Sequence, residues 1–112
     1  MSIDTVVFGY SPNPERFSFK AYELLREHNI STLAFNPRTD SIDHLPNNFN
    51  TLTLYISAQN FKKFESEVLG FQFKRVIFNP GTENSEFKNL CLLKGIEVVE
   101  DCTLVMLRQS RY

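Results

Sequence analysis

The stretch that decides the fold is Thr5-Val6-Val7-Phe8-Gly9-Tyr10-Ser11-Pro12-Asn13-Pro14, close to the start of the chain. Its first four residues form a valine-rich run, which is typical of a strand covered on both faces. A glycine then breaks the strand, and a helix-like segment follows. Gly9 allows a close backbone approach to a ligand, and the helix directs free N–H groups and its positive dipole end to the same point. The stretch therefore predicts a phosphate-binding turn. It is not the dinucleotide fingerprint, because only the first glycine of GxGxxG is present.

Composition limits the class of protein. The chain has 112 residues, 42% of them hydrophobic and 11 of them phenylalanine, which predicts one domain, residues 1–112, whose core needs neither disulfide nor metal. The net charge of −1 argues against a nucleic-acid partner. No run reaches the roughly 18 apolar residues of a membrane span, and the N-terminus lacks a signal pattern. The two cysteines lack metal spacing. We therefore expect a soluble, cytoplasmic domain without a membrane partner.

Strand-like and helix-like segments alternate along the chain. The polar stretch 38–50 reads as a loop with one helical turn near Ser41 to Leu45, and residues 103–107 read as a short terminal extension. Ser18 and Ser57 are expected to cap the first two helices. This alternation predicts an α/β fold: a three-layer, doubly wound, Rossmann-like sheet of five parallel strands. The expected strands are 5–8, 31–36, 52–56, 75–78 and 96–99, and the expected helices are 18–28, 58–69 and 83–94.

Strand order determines where a ligand binds in such a sheet. The two common orders for five strands are 3-2-1-4-5 and 2-1-3-4-5, and ligands bind beyond the carboxyl ends of the strands, where the order reverses. We favour the first order, which makes strands 1 and 4 neighbours and brings Gly9–Asn13 beside Asn79-Pro80-Gly81. Glycine, proline and asparagine also serve simply to make turns, so each turn alone is weak evidence.

The end of the second strand indicates the kind of nucleotide. A NAD-binding domain carries an acidic residue there, but this chain has Asn36-Pro37-Arg38. An arginine fork can grip a phosphate bidentately, which favours NADP or coenzyme A over NAD. The alternative is that Arg38 is a solvated loop residue.

Catalytic constellations are scarce in the sequence. His28 falls in the last turn of the first helix, where it complements the dipole, and His44 lies in the polar loop. Cys102 follows the fifth strand and could be a thiol nucleophile, but it has no histidine or basic neighbour in sequence, so a buried, inert cysteine is expected. No acid–base pair stands out. We therefore expect no catalytic residues and no enzymatic activity.

Four segments together resemble a known family. They are Gly9 to Arg16 with Ser18 after it, Asn36-Pro37-Arg38, Asn79-Pro80-Gly81 with Glu83-Asn84, and Gly95 to Val99 followed by Asp101-Cys102. In order and spacing the chain is similar, over nearly its whole length, to the small single-domain coenzyme A-binding proteins of bacteria. These have a Rossmann-like fold related to the nucleotide-binding domain of the succinyl-CoA synthetase alpha subunit.

The resemblance implies a role for each segment. The first loop would cradle coenzyme A phosphates, and Asn36-Pro37-Arg38 would flank the adenosine and its 3′-phosphate. The end of strand 3 would form a wall beside the adenine or pyrophosphate, and the turn at residues 79–81 would approach the pantetheine. The implied binding residues are Gly9, Tyr10, Ser11, Pro12, Asn13, Arg16, Ser18, Asn36, Pro37, Arg38, Ile56, Ser57, Asn79, Pro80 and Gly81.

Three departures from the family pattern bear on the ligand. Tyr10 stands where the family has a small residue, Ser57 stands where it has arginine, and the connection between strands 2 and 3 is short. The expected function is non-catalytic binding of coenzyme A or an acyl-CoA at the carboxyl ends of the strands. The alternatives are a degenerate member that acts as a protein-interaction module, and an NADP-dependent oxidoreductase whose site an oligomer completes. The sequence leaves a homodimer open.

Overall fold

The structure, a computed structural model, describes residues 2–112. Strands and helices alternate along it, with a 3-10 turn in place of a helix after the second strand. The strands are β1 (Thr5–Phe8), β2 (Thr32–Phe35), β3 (Thr51–Leu54), β4 (Arg75–Phe78) and β5 (Glu97–Glu100). The helices are α1 (Phe17–Glu27), α2 (Ala58–Phe61), α3 (Glu65–Leu69), α4 (Ser85–Leu93) and α5 (Thr103–Arg108), with 3-10 turns at Ile42–His44 and Lys62–Phe64.

The predicted fold class is confirmed, and the favoured strand order is wrong. All five strands pair in parallel, in the order β2-β1-β3-β4-β5. This is the second of the two orders considered, and it places β3 between β1 and β4. The four-residue strands β1, β3 and β4 are each almost wholly buried, so their local patterns fit either order. The strand sequences alone therefore do not show which strands lie side by side.

The two faces of the sheet carry different cores. Val7 lies on the face covered by α1 and α5, where it packs with Leu25 and Leu107. Phe8 lies on the other face, in a larger core that α2, α3 and α4 cover. Its ring lies 4.6 Å from the ring of Phe35 and 5.4 Å from that of Phe61, centroid to centroid. Most of the aromatic packing therefore holds the α2–α4 layer against the sheet.

Several helix boundaries differ from the prediction. Ser18 does not cap α1, because the helix begins one residue earlier and the Ser18 hydroxyl accepts a hydrogen bond from Ser11 N–H. Ser57 does cap α2, accepting from Asn60 N–H at 3.3 Å. The predicted helix 58–69 is interrupted by the 3-10 turn, and residues 103–108 form a helix. Within residues 2–112, no helix has the length and apolar character needed to cross a lipid bilayer.

Gly9 is required by strand packing. Its φ is +104°, and a Cβ at this position would lie 2.5 Å from the carbonyl oxygen of Tyr55, at the end of β3. The sequence suggested that Gly9 allows close approach to a ligand. In the structure the close approach is to the backbone of the neighbouring strand. The ends of β1 and β3 can meet only because this residue has no side chain.

Two glycine variants separate conformational strain from steric overlap. Gly95 also has a positive φ, +77°, but open space surrounds its missing Cβ. We expect Gly95→Ala to lower the free energy of unfolding by about 1–2 kcal/mol, from the left-handed backbone alone. Gly9→Ala should cost about 3 kcal/mol or more, because overlap adds to that strain. Urea denaturation of both variants measures the difference, and equal losses would contradict the close approach.

Candidate functional site

A crevice of about 870 Å³ opens beyond the carboxyl ends of the strands. It lies over the point between β1 and β3 where the strand order reverses, with α1 leaving on one face of the sheet and α2 on the other. This is where doubly wound sheets bind their ligands. The volume falls within the roughly 300–1,000 Å³ typical of small-molecule sites.

The structure brings most of the sequence-predicted binding residues together around this crevice. The change in strand order does not disperse them, because the turns that follow β1, β2, β3 and β4 all lie at the same edge of the sheet. Asn13 and Asn79 are the two predicted residues that do not line it. The predicted residues that line it are Gly9, Tyr10, Ser11, Pro12, Arg16, Ser18, Asn36, Pro37, Arg38, Ile56, Ser57, Pro80 and Gly81.

The backbone N–H groups of the loop after β1 are hydrogen-bonded within the protein. The N–H groups of Gly9 and Tyr10 both donate to the carbonyl of Phe35, at 3.0 and 2.9 Å. Ser11 N–H donates to the hydroxyl of Ser18 at 3.0 Å, and Asn13 N–H donates to the hydroxyl of Ser11 at 3.2 Å. These donors are therefore already paired within the protein. The loop offers a ligand a fixed shape rather than a set of free backbone donors.

The start of α1 offers the free donors instead. Its first three N–H groups belong to Phe17, Ser18 and Phe19, and an α-helix has no internal acceptor for them. Arg16 occupies the N-cap position and makes no side-chain cap bond. No acceptor in residues 2–112 takes up these donors. Together with the helix dipole, they favour an anion at this end of the crevice.

The charged side chains that line the crevice are all cationic. Arg16, Arg38 and Lys63 line it, and among the described residues no aspartate or glutamate does. Two carboxylates border it, and both are bound to backbone: Asp40 accepts from Asn36 N–H at 2.8 Å, and Glu83 accepts from Gly81 N–H at 3.1 Å. A chain with a net charge of −1 thus concentrates positive charge where the helix donors point.

Tyr10 is accommodated without filling the crevice. Its ring packs against α1, with centroids 5.3 Å from Tyr22 and 6.1 Å from Phe19. Partial burial, with Tyr22 and Glu23 nearby, raises the pKa of Tyr10. The bulky residue that departs from the family pattern is therefore held against a helix, beside an open crevice.

Asn79 lies beneath the crevice and connects three elements. It is 1% exposed. Its side-chain N–H₂ donates to the Thr53 hydroxyl at 2.7 Å and to the Leu54 carbonyl at 2.8 Å. Its side-chain oxygen accepts from Thr103 N–H, in the first turn of α5, at 2.8 Å. The amide thus joins β4 to β3 and to the start of α5, which leaves it no free group for a ligand.

Asn79→Ala tests this structural role. The substitution removes three buried hydrogen bonds, to the Thr53 hydroxyl, the Leu54 carbonyl and the Thr103 N–H, and we expect the free energy of unfolding to fall by about 3 kcal/mol. Asn13→Ala is the matched control, because Asn13 is exposed and bonds only within its own loop. Denaturant titration should show little change for the control. An equally small change for Asn79→Ala would refute the role.

Sequence reasoning missed six residues that line the crevice. Lys63 matters most, because it carries charge. It lies in the 3-10 turn that interrupts the predicted helix 58–69. Asn60 and Lys63 are three residues apart, and this spacing puts two residues on the same face of a helix. That spacing was the sequence signal that could have placed both at the crevice. The missed residues are Phe17, Tyr55, Asn60, Lys63, Phe64 and Thr82.

The histidines and cysteines lie away from the crevice lining. His28 Nδ1 is 2.9 Å from the Leu24 carbonyl in its own helix, and His44 lies in the first 3-10 turn. Cys91 is fully buried, and burial raises the pKa of its thiol to about 12. Cys102, at the N-cap of α5, is half-buried. No group of three or more His, Cys, Asp or Glu side chains within residues 2–112 is arranged to hold a metal ion.

The two thiols should therefore react at different rates. Cys91 stays protonated at pH values well below 12 and is shielded by the core, whereas Cys102 is partly accessible. With a thiol-specific reagent at pH 8, we expect one thiol per chain to react in the native protein and the second only on unfolding. Mass mapping should identify Cys102 as the first. Early labelling of Cys91 would contradict the packing of α4.

The topology defines a Rossmann-like class of α/β protein, with a crevice at the carboxyl ends of its strands. Comparison with families identifies it further, because the CoA-binding domain family matches residues 4–108, and the chain belongs to that family. A solved structure described as an uncharacterized protein is 32% identical, with all of both chains covered and a TM-score of 0.87. A Thermus thermophilus protein is 22% identical over 99% of this chain and 91% of its own, with a TM-score of 0.86.

A hypothetical protein from Pyrococcus horikoshii OT3 shows the same fold. It is 21% identical, covers 96% of this chain and 81% of its own, and has a TM-score of 0.81. No curated protein matches the sequence.

Proposed function

We propose that this protein binds coenzyme A, free or acylated, in the crevice at the carboxyl ends of the strands, and that it does so without catalysing a reaction. The observation that carries the proposal is the crevice charge: Arg16, Arg38 and Lys63 line it with no lining carboxylate, although the whole chain is slightly acidic. Membership of the CoA-binding domain family supports coenzyme A as the anion that binds there.

The crevice has a place for each charged part of the ligand. The pyrophosphate lies at the start of α1, where unpaired N–H groups and the helix dipole meet. The 3′-phosphate lies against Arg38, whose backbone N–H is fixed by the Asn36 side chain at 3.0 Å. Arg38 is exposed and makes no ion pair within the described chain, so its guanidinium is available for bidentate contact.

A non-catalytic role is consistent with the groups around the crevice. Neither histidine nor cysteine lines it. The lining side chains that ionise, besides the three cations, are Tyr10 and Tyr55, and burial raises the pKa of both. Their phenols stay neutral at physiological pH. General acid–base catalysis works best with a group whose pKa lies near the operating pH, and these two do not meet that condition.

The open crevice favours coenzyme A binding over a degenerate interaction module. A degenerate member should have a pocket closed by Tyr10, but that ring packs against α1 beside a crevice of about 870 Å³. An NADP-dependent oxidoreductase is the second alternative, since Arg38 suits the 2′-phosphate of NADP as well as a 3′-phosphate. The ligand panel below distinguishes the two cofactors.

A thermal-shift titration with coenzyme A, dephospho-coenzyme A, NADP and NAD tests the proposal. Coenzyme A at about a hundred times its Kd should stabilise the fold by roughly 2.7 kcal/mol. Dephospho-coenzyme A should bind more weakly, because it lacks the phosphate that Arg38 contacts. Arg38→Ala should reduce this difference between the two ligands.

Arg108→Ala is the matched control, since Arg108 is an exposed arginine in the last turn of α5 and does not line the crevice. It should leave both shifts unchanged. A larger shift with NADP than with coenzyme A would favour the oxidoreductase. No shift with any of the four ligands would overturn the proposal and favour the interaction module.

A further inference from the structure

Two adjacent lysines after β3 have different surroundings. The Lys62 ammonium pairs with the Glu86 carboxylate of α4, with Nζ and Oε2 3.3 Å apart. Lys63 instead lines the crevice, and its ammonium lies 5.3 Å from the centroid of the Phe64 ring. Lys63 has no ion pair among residues 2–112. Lys63 is therefore a free cation in the crevice, while Lys62 is held outside it.

Lys62 and Lys63 are neighbours in the same 3-10 turn, Lys62–Phe64. Successive residues in a 3-10 helix are turned by about a third of a revolution, so neighbouring side chains point in different directions. The turn lies between α2 and α3, and the buried ring of Phe61 anchors its start, with its centroid 4.7 Å from that of Phe87. Lys62 can then reach α4, and Lys63 faces the crevice.

The same side of the crevice lacks any other charge. Ser57 lies three residues after the end of β3, and its hydroxyl caps α2 by accepting from Asn60 N–H. Ile56 and Asn60, the neighbouring lining residues, are uncharged. A phosphate lying between the starts of α1 and α2 thus meets one cation on the β3 side, and that cation is Lys63.

We propose that Lys63 is the cation that binds the ligand's pyrophosphate on the β3 side of the crevice. The inference rests on the proposed binding of coenzyme A, and it divides the charges between two subsites. Lys63 lies on the segment after β3, beside the β1–β3 switch point where the pyrophosphate binds. Arg38 lies after β2, the edge strand, and takes the 3′-phosphate.

Calorimetric titration with coenzyme A and dephospho-coenzyme A separates the two subsites. Both ligands contain the pyrophosphate, so Lys63→Ala should lower the affinity for both by the same factor, about tenfold for a charge-assisted contact. Arg38→Ala should lower the affinity for coenzyme A alone. Lys63→Arg should retain most of the affinity, because it keeps the charge. Lys63→Gln should behave like the alanine variant while keeping the aliphatic stem beside Phe64.

Lys62→Ala is the matched control, one residue away and outside the crevice, and it should leave both affinities unchanged. Thermal unfolding of the ligand-free variants checks that each remains folded. If the native chain binds coenzyme A and Lys63→Ala binds both ligands as tightly, the inference is wrong and the proposed function stands. A loss confined to coenzyme A would also overturn it, by placing Lys63 at the 3′-phosphate. Failure of the native chain to bind either ligand would overturn both proposals.

Discussion

The site depends on how the end of β1 is held between its two neighbours. On one side, the carbonyl of Phe35 at the end of β2 accepts from the N–H groups of both Gly9 and Tyr10. On the other, Phe8 accepts from Tyr55 N–H at 2.8 Å, and Gly9 lies so close to the Tyr55 carbonyl that no side chain fits. These contacts fix the position where the chain leaves β1, and therefore where α1 begins. The N-terminus of α1, with its unpaired N–H groups, is thus positioned by backbone contacts at the strand ends.

Charge is distributed unevenly between the crevice and the rest of the chain. The whole chain has a net charge of −1, whereas the charged side chains that line the crevice are cationic. Three cationic side chains line the crevice near the N-terminus of α1. The two carboxylates that border it accept hydrogen bonds from backbone N–H groups. A phosphate compound small enough to enter the crevice would meet these groups together.

Much of the fold was readable from the sequence, because the strands are short runs rich in apolar residues that alternate with helix-like segments. The strand order was not readable. β1, β3 and β4 all carry the pattern of a fully covered strand, so their residues do not show which lie side by side. The contact that shows it, between Gly9 and Tyr55, joins residues far apart in sequence. Most of the residues named from the sequence still line one crevice, because the carboxyl ends of parallel strands meet at one edge in either order.

The positions of two side chains, those of Ser18 and Lys63, could not be predicted from the local sequence. Ser18 has the local pattern of a helix cap, but its hydroxyl is nearer to Ser11, seven residues earlier, and holds the loop instead. Lys63 was missed because the pattern of residues 58–69 marks only the apolar residues that face inward, and nothing local shows which of two adjacent lysines borders the crevice. In both cases the position of a side chain depends on how distant segments pack together, which the local pattern does not show.

The aromatic core explains why these segments keep a fixed spacing. Phe8, at the end of β1, contacts Phe61 and Phe64, each with ring centroids 5.4 Å away, and these two residues flank the position of Lys63. The ring of Phe64 also lies 6.4 Å from that of Phe35 in β2. One cluster of rings therefore connects the ends of β1 and β2 with the segment after β3. A ligand spanning these elements meets a backbone that is already ordered, so it mainly has to immobilise the long cationic side chains, at about 0.5–1.5 kcal/mol each.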